Sequence, residues 1–201
     1  MTGRTRTILF GALVAALAIG GGVALRQVMD ARGSASSPVA VALGEPFELI
    51  DHDGAPITEA AFEGQPSLLF FGFTHCPDVC PTTVYDIETW LTDLEAEGAD
   101  AAEMRAFFAT VDPERDTAAF LKDYLEPQSD RITGITGDPE AVLEMARSWR
   151  IYFQKRPLGE GDYTMDHYAS VFVLDREGRV ADVIAYGEDA ESAKAKIRNV
   201  L

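Results

Sequence analysis

The sequence predicts an α/β domain, with helices packed against a mixed β-sheet, carried behind an apolar amino-terminal segment. Three observations predict it. Ser67 to Phe73 and Met104 to Val111 are short apolar runs of the length expected for buried strands. Val84, Ile87, Leu91 and Leu94 recur at helical spacing between those runs. The two kinds of segment alternate along the chain, which favours layers of helix on sheet.

The elements follow in order. Ile8 to Leu25 is an uncharged run of Ala, Val, Leu, Ile, Phe and Gly. As a helix it measures about 27 Å, close to a hydrocarbon core of about 30 Å. Arg4 and Arg6 precede it, so the positive-inside rule exports everything that follows. A cleaved signal peptide competes, because Ala16-Leu17-Ala18 has small residues at the right spacing. The apolar run continues past that point, which favours an uncleaved anchor. Gly33 to Pro38 reads as a flexible linker. The expected division is 1–7 cytoplasmic, 8–25 membrane anchor, 26–40 linker and 41–201 a single exported domain.

Within that domain Phe47 to Ile50 reads as a strand and Asp51-His52-Asp53-Gly54 as a turn. The run Ser67–Phe73 leads into a helix in which Pro81 occupies the first turn. After Met104–Val111, Phe120, Leu121, Tyr124 and Leu125 suggest a short helix, followed by a short strand. Asp138-Pro139-Glu140 is a helix start, with Val142, Met145, Ala146 and Trp149 on its apolar face. Ala169–Leu174 and Val180–Tyr186 form a hairpin around Asp175-Arg176-Glu177-Gly178. A last helix runs from Ala190 to Leu201, with Ala193, Ile197 and Val200 inward.

Composition bounds the function. The chain has 201 residues, 47% hydrophobic and 25% charged, enough for one domain plus an appendage. A domain of about 160 residues buries about 70% of its unfolded surface, so it folds without disulfide or metal. Net charge is −16; residues 1–32 hold four basic groups and one acidic, leaving 13 basic against 32 acidic, −19, on the rest. Such a surface repels phosphates and argues against nucleic-acid binding.

The chemistry concentrates in Gly72-Phe73-Thr74-His75-Cys76-Pro77-Asp78-Val79-Cys80-Pro81, which holds both cysteines. Four residues apart at a helix start, their sulfurs face one side, and the helix N-terminus favours thiolate. Two thiolates make a disulfide or half of a metal site. The only imidazoles are His52, His75 and His167. Two sulfurs and one imidazole leave structural zinc a ligand short. They suit Cu(I), which accepts three soft ligands.

Phe71 to Pro81 closely resembles the signature of the SCO/SenC family of copper chaperones. Val111-Asp112-Pro113-Glu114-Arg115-Asp116-Thr117 looks like the family's second motif, and Asp166-His167 like its distal-histidine motif. The similarity spans roughly residues 45–200. The resemblance implies a thioredoxin-like fold, a membrane anchor and a domain on the periplasmic side. It also implies copper, Cu(I) or Cu(II), one per chain, bound by Cys76, Cys80 and His167. The partners it implies are a copper donor protein and cytochrome c oxidase subunit II or a similar copper protein, whose binuclear centre it helps assemble. The family's cysteines also cycle between dithiol and disulfide. Three residues separate Cys76 from Cys80, one more than in ordinary thioredoxins, and His167 falls where those carry a proline.

The remaining polar residues carry two readings each. His75 is expected to point away from Cys76, and His52 to face solvent in its turn. Asp78 either tunes the thiolates or caps the following helix; Asp112 and Asp116 either shape the loop or cap. Asp166 is a candidate to orient His167, and Met165 a distant soft ligand or a packing residue. Arg156 to Tyr163 reads as a polar loop able to move His167. The leading function is delivery of copper, without turnover. The alternatives are thiol–disulfide exchange at a redox-active Cys76–Cys80 pair, reducing the cysteines of a copper-site partner, and peroxide reduction, which lacks a separate resolving cysteine.

Overall fold

A computed structural model describes residues 43–201. The segments expected as cytoplasmic (1–7), anchor (8–25) and linker (26–40) lie outside the described residues. Among the described residues, no helix is long and apolar enough to cross a membrane.

The elements are β1 (Glu48–Asp51), β2 (Pro56–Thr58), β3 (Ser67–Gly72), α1 (Val79–Ala96), β4 (Arg105–Thr110), α2 (Ala118–Leu125) and β5 (Ile132–Thr136). They continue with α3 (Pro139–Ser148), β6 (Phe153–Gly159), β7 (Asp162–His167), β8 (Ser170–Leu174), β9 (Val180–Ala185) and α4 (Ala190–Arg198). Seven strands make one sheet in the order β2-β1-β5-β4-β3-β8-β9. Strand β3 runs parallel to β4 and β4 to β5, while β8 pairs antiparallel with β3 and β9 with β8. The sheet is mixed, as expected.

Its centre is dry on both faces. Every residue of β3 and of β8 is buried, as in strands covered on both faces. Helix α1 turns Val84, Ile87, Leu91 and Leu94 inward at no more than 1% exposure. Each such side chain contributes about 1.5–3 kcal/mol of burial. Asp138 accepts hydrogen bonds from the N–H groups of Glu140 and Ala141 and starts α3, with Pro139 at its first position. Helix α4 ends at Arg198, three residues short of expectation, and buried Lys194 ties it to Glu97 at the end of α1 by a 2.7 Å bond. A cation there complements the carbonyl end of α1.

Two corrections concern the loops. The segment expected to be a mobile loop, Arg156–Tyr163, belongs to the β6–β7 hairpin, in register from Phe153 opposite His167 to Pro157 opposite Tyr163. Its two-residue turn places both Glu160 (φ 53°) and Gly161 (φ 89°) at positive φ, the geometry that closes tight hairpins. Strand β6 is almost wholly exposed, so it lacks the alternating apolar pattern that signals a strand. His52 is the second. It does not face solvent: its Nδ1 accepts from the Gly134 N–H at 2.9 Å. The antiparallel pairing of β1 with β5 carries the turn over β5.

Candidate metal centre

The site forms where β3 runs out into the cysteine loop. Gly72 ends the strand because nothing larger fits: a Cβ there lies 2.7 Å from Phe70 Cε1 and 2.9 Å from Phe108 Cζ. Beyond it Phe73 plugs the core at 1% exposure, and the Cys76 N–H donates to the Phe73 carbonyl. Val79 opens α1, so Cys80 is its second residue and Pro81 its third. Cys80 is fully buried, whereas Cys76 is half-buried and reachable from solvent.

Cys76 Sγ accepts the Cys80 N–H at 3.4 Å, using one of the free donors of the helix start. The Cys80 thiol beside it and that N–H hold Cys76 far below the usual thiol range. The Cys76 sulfur, together with burial, pushes the Cys80 thiol up. The pair therefore ionises first at Cys76, with the remaining proton kept on Cys80. Both residues are free cysteines here.

His167 closes the site from the end of β7. Its ring stands edge-on to Phe70 and Phe73, with centroids 6.1 and 5.7 Å away. Its Nδ1 faces the Tyr168 carbonyl at 3.3 Å. A carbonyl only accepts, so Nδ1 carries a hydrogen, and Nε2 is the ring nitrogen left to serve as a ligand. That Nε2 lies 3.4 Å from Cys80 Sγ, across 87 residues of sequence. One ligand atom each from Cys76, Cys80 and His167 lies within 4.8 Å of the others. No further His, Cys, Asp or Glu joins them among the described residues. Two sulfurs and an imidazole nitrogen, three donors without a fourth, fit Cu(I) better than structural zinc.

The other sequence candidates fall around this cluster without joining it. His75 stacks on Phe120 at 5.2 Å, pointing away from the sulfurs as expected. Met165 packs against the core. Asp166 does not orient His167: it pairs with Arg156 at 2.7 Å, because adjacent residues of a strand point to opposite faces. Asp78 occupies the N-cap position of α1 but its side chain makes no capping hydrogen bond. Thr117, and neither Asp112 nor Asp116, caps α2.

Asp116 instead props the cysteine loop from below. Fully buried, it accepts the Thr74 N–H at 3.0 Å and the hydroxyls of Thr74 and Thr110 at 2.6 Å each. Burial raises its pKa against those three donors. The Thr74 hydroxyl has given its hydrogen to Asp116, so His75 Nδ1, 3.0 Å away, must donate to it.

Sequence reasoning missed Tyr163. Its hydroxyl donates to buried Asp112 at 2.7 Å. Arg115 and Lys155 each lie 3.7 Å from its ring centroid. A signal was available, since Tyr163, Met165 and His167 alternate with Asp162, Thr164 and Asp166.

A mixed sheet flanked by helices, with a two-cysteine loop opening a helix and a histidine just before a late antiparallel strand, defines a thioredoxin-like domain rebuilt as a candidate metal centre. The SCO1/SenC family model matches residues 35–201 of this chain. The bovine mitochondrial SCO2 homolog is 37% identical over 201 residues, 97% of this chain and 74% of that protein. The chain spans between 45% and 74% of the length of several mitochondrial relatives. Bradyrhizobium japonicum ScoI, solved with copper bound, is 41% identical, with a TM-score of 0.72 over 80% of this chain and all of that one. BsSco, described as a Sco family cytochrome c oxidase assembly protein with a disulfide switch, is 25% identical, with a TM-score of 0.64 over 82% and 96% of the chains. The chain belongs to the SCO1/SenC family.

Proposed function

We propose that this protein is a membrane-anchored copper chaperone. It binds one copper ion through Cys76, Cys80 and His167 and serves assembly of the binuclear copper centre of cytochrome c oxidase subunit II. The observation that carries the reading is the convergence of three soft or borderline ligand atoms within 4.8 Å from residues 87 apart in sequence. The copper bound to ScoI supports the choice of metal, and the role described for BsSco supports the choice of pathway. The apolar run 8–25 behind Arg4 and Arg6 would anchor the chain and place the domain in the periplasm.

Half-buried Cys76 is the sulfur that meets copper first, with buried Cys80 behind it and half-buried His167 completing the site. Loading is tested by titrating the reduced domain with Cu(I) in competition with a chromophoric chelator. Wild type should bind one equivalent, and His167→Ala should bind at least tenfold more weakly, about 1.4 kcal/mol. Stoichiometric binding of unchanged affinity by His167→Ala would sink the three-ligand site.

A second reading is thiol–disulfide exchange on a copper-site partner. It is favoured by the half-buried, reachable Cys76, whose pKa is lowered, beside a buried Cys80 thiol whose pKa is raised, the arrangement of an attacking and a resolving cysteine. Full reductase activity in His167→Ala, with none in Cys76→Ser, would favour it over delivery.

A further inference from the structure

The β6–β7 hairpin carries His167 yet pairs with no strand of the main sheet. Met165 and Phe153 rest against the core. Apart from the contact of His167 with Cys80 and two bonds to the flanking residues Tyr152 and Tyr168, the side-chain hydrogen bonds between the hairpin and the body run to one short segment. Tyr163 donates to Asp112, Arg115 donates to the Tyr163 carbonyl at 3.0 Å, and Lys155 donates to Glu114 at 2.7 Å. Arg115 also pairs with Asp112 at 2.5 Å, so the carboxylate that receives the tyrosine is itself held. The Tyr163 ring lies against two cations at 3.7 Å each, contacts that strengthen on desolvation.

We propose that Tyr163, clamped by Asp112, Arg115 and Lys155, is a positioning residue that latches the hairpin and so holds His167 on the two sulfurs. This rests on the copper reading of the site. Tyr163 and His167 share one face of β7, four residues or about 13 Å apart. The hairpin rejoins the body only at its open end, beside Tyr152 and Tyr168. A second fixed point at Tyr163 removes the rocking that would swing the imidazole away. The same segment reaches the other half of the site, because Asp116, one residue after Arg115, holds Thr74 beneath the cysteine loop. Residues 112–116 therefore set the spacing between thiolates and imidazole, which is a physical role for the second sequence motif.

The affinity of a site that is competent only when closed falls in proportion to its closed fraction. Releasing the latch should therefore appear chiefly as faster copper loss. The test compares wild type, Tyr163→Ala, Tyr163→Phe, Lys155→Ala and His167→Ala in the reduced domain. Copper release to excess chelator is followed beside nitrogen-15 relaxation of the His167 ring in the metal-free protein. Tyr163→Ala should release copper about tenfold faster and broaden or average the ring signals. Tyr163→Phe, which keeps the stacking, should fall between it and wild type. Lys155→Ala, at an exposed position outside the core, should move in the same direction and guards against misfolding of the alanine variant. Release within twofold of wild type together with unchanged ring relaxation in both Tyr163→Ala and Lys155→Ala would overturn the latch. Failure of His167→Ala to weaken copper would instead overturn the site itself, while the ring relaxation still decides whether the hairpin is latched.

Discussion

Replacing Asp116 with alanine tests whether the cysteine loop is held by its buried carboxylate. The change leaves three donors without an acceptor: the Thr74 N–H and the hydroxyls of Thr74 and Thr110. Each orphaned buried donor costs about 1–3 kcal/mol. Thr110 cannot readily turn elsewhere, because its oxygen already accepts the Asp112 N–H at 2.9 Å. At the low end the three sum to about 3 kcal/mol, and at mid-range to about 6 kcal/mol. Two effects offset part of this. Burial already disfavours the Asp116 charge, so its removal relieves a desolvation cost, and water can enter the space left behind. A net loss of about 3 kcal/mol is expected, which lowers the melting temperature by about 6–12 °C in a domain of this size. Urea denaturation of the reduced domain measures it directly, and alkylation of Cys76 reports the loop. The expected pattern is a shifted midpoint with unchanged m-value and faster alkylation, since Thr74 lies two residues before Cys76. A loss under about 1 kcal/mol with unchanged alkylation would refute the argument.

Other predictions follow from single contacts. Glu188 is held at about 2 by Lys196, the Ser192 hydroxyl and the Ala185 N–H, against about 4.3 in an unfolded chain. Its contribution is thus complete above about pH 4.3 and disappears as pH falls towards about 2; Glu188→Gln should flatten that part of the stability profile, and an unaltered slope would count against it. Gly72→Ala pushes a methyl into the rings of Phe70 and Phe108 and should cost about 1–3 kcal/mol in chemical denaturation; a change below about 0.5 kcal/mol would show that the rings yield freely.

Much of the fold was legible because its signals are local. Strand β3 and helix α1 announce themselves by an apolar run and by Val84, Ile87, Leu91 and Leu94. Asp138-Pro139 marks the start of α3, and the turn at 175–178 joins β8 to β9. The β6–β7 hairpin escaped because exposure on both faces erases alternation in β6, and Pro157 reads as a loop residue. His52 was misjudged for a different reason. Its partner is a backbone N–H on β5, 82 residues away, and no local pattern encodes that.

By itself the sequence determined the cysteine pair, its position at a helix start, and the motifs that resemble the SCO/SenC family. These depend on neighbours along the chain, where spacing and backbone geometry suffice. Only the tertiary structure brought His167 Nε2 to 3.4 Å from Cys80 Sγ, buried one sulfur and left the other reachable. It alone brought Arg115 and Lys155 onto the ring of Tyr163. Contacts between distant segments depend on how the strands order themselves in the sheet, and that order follows from packing the whole core at once.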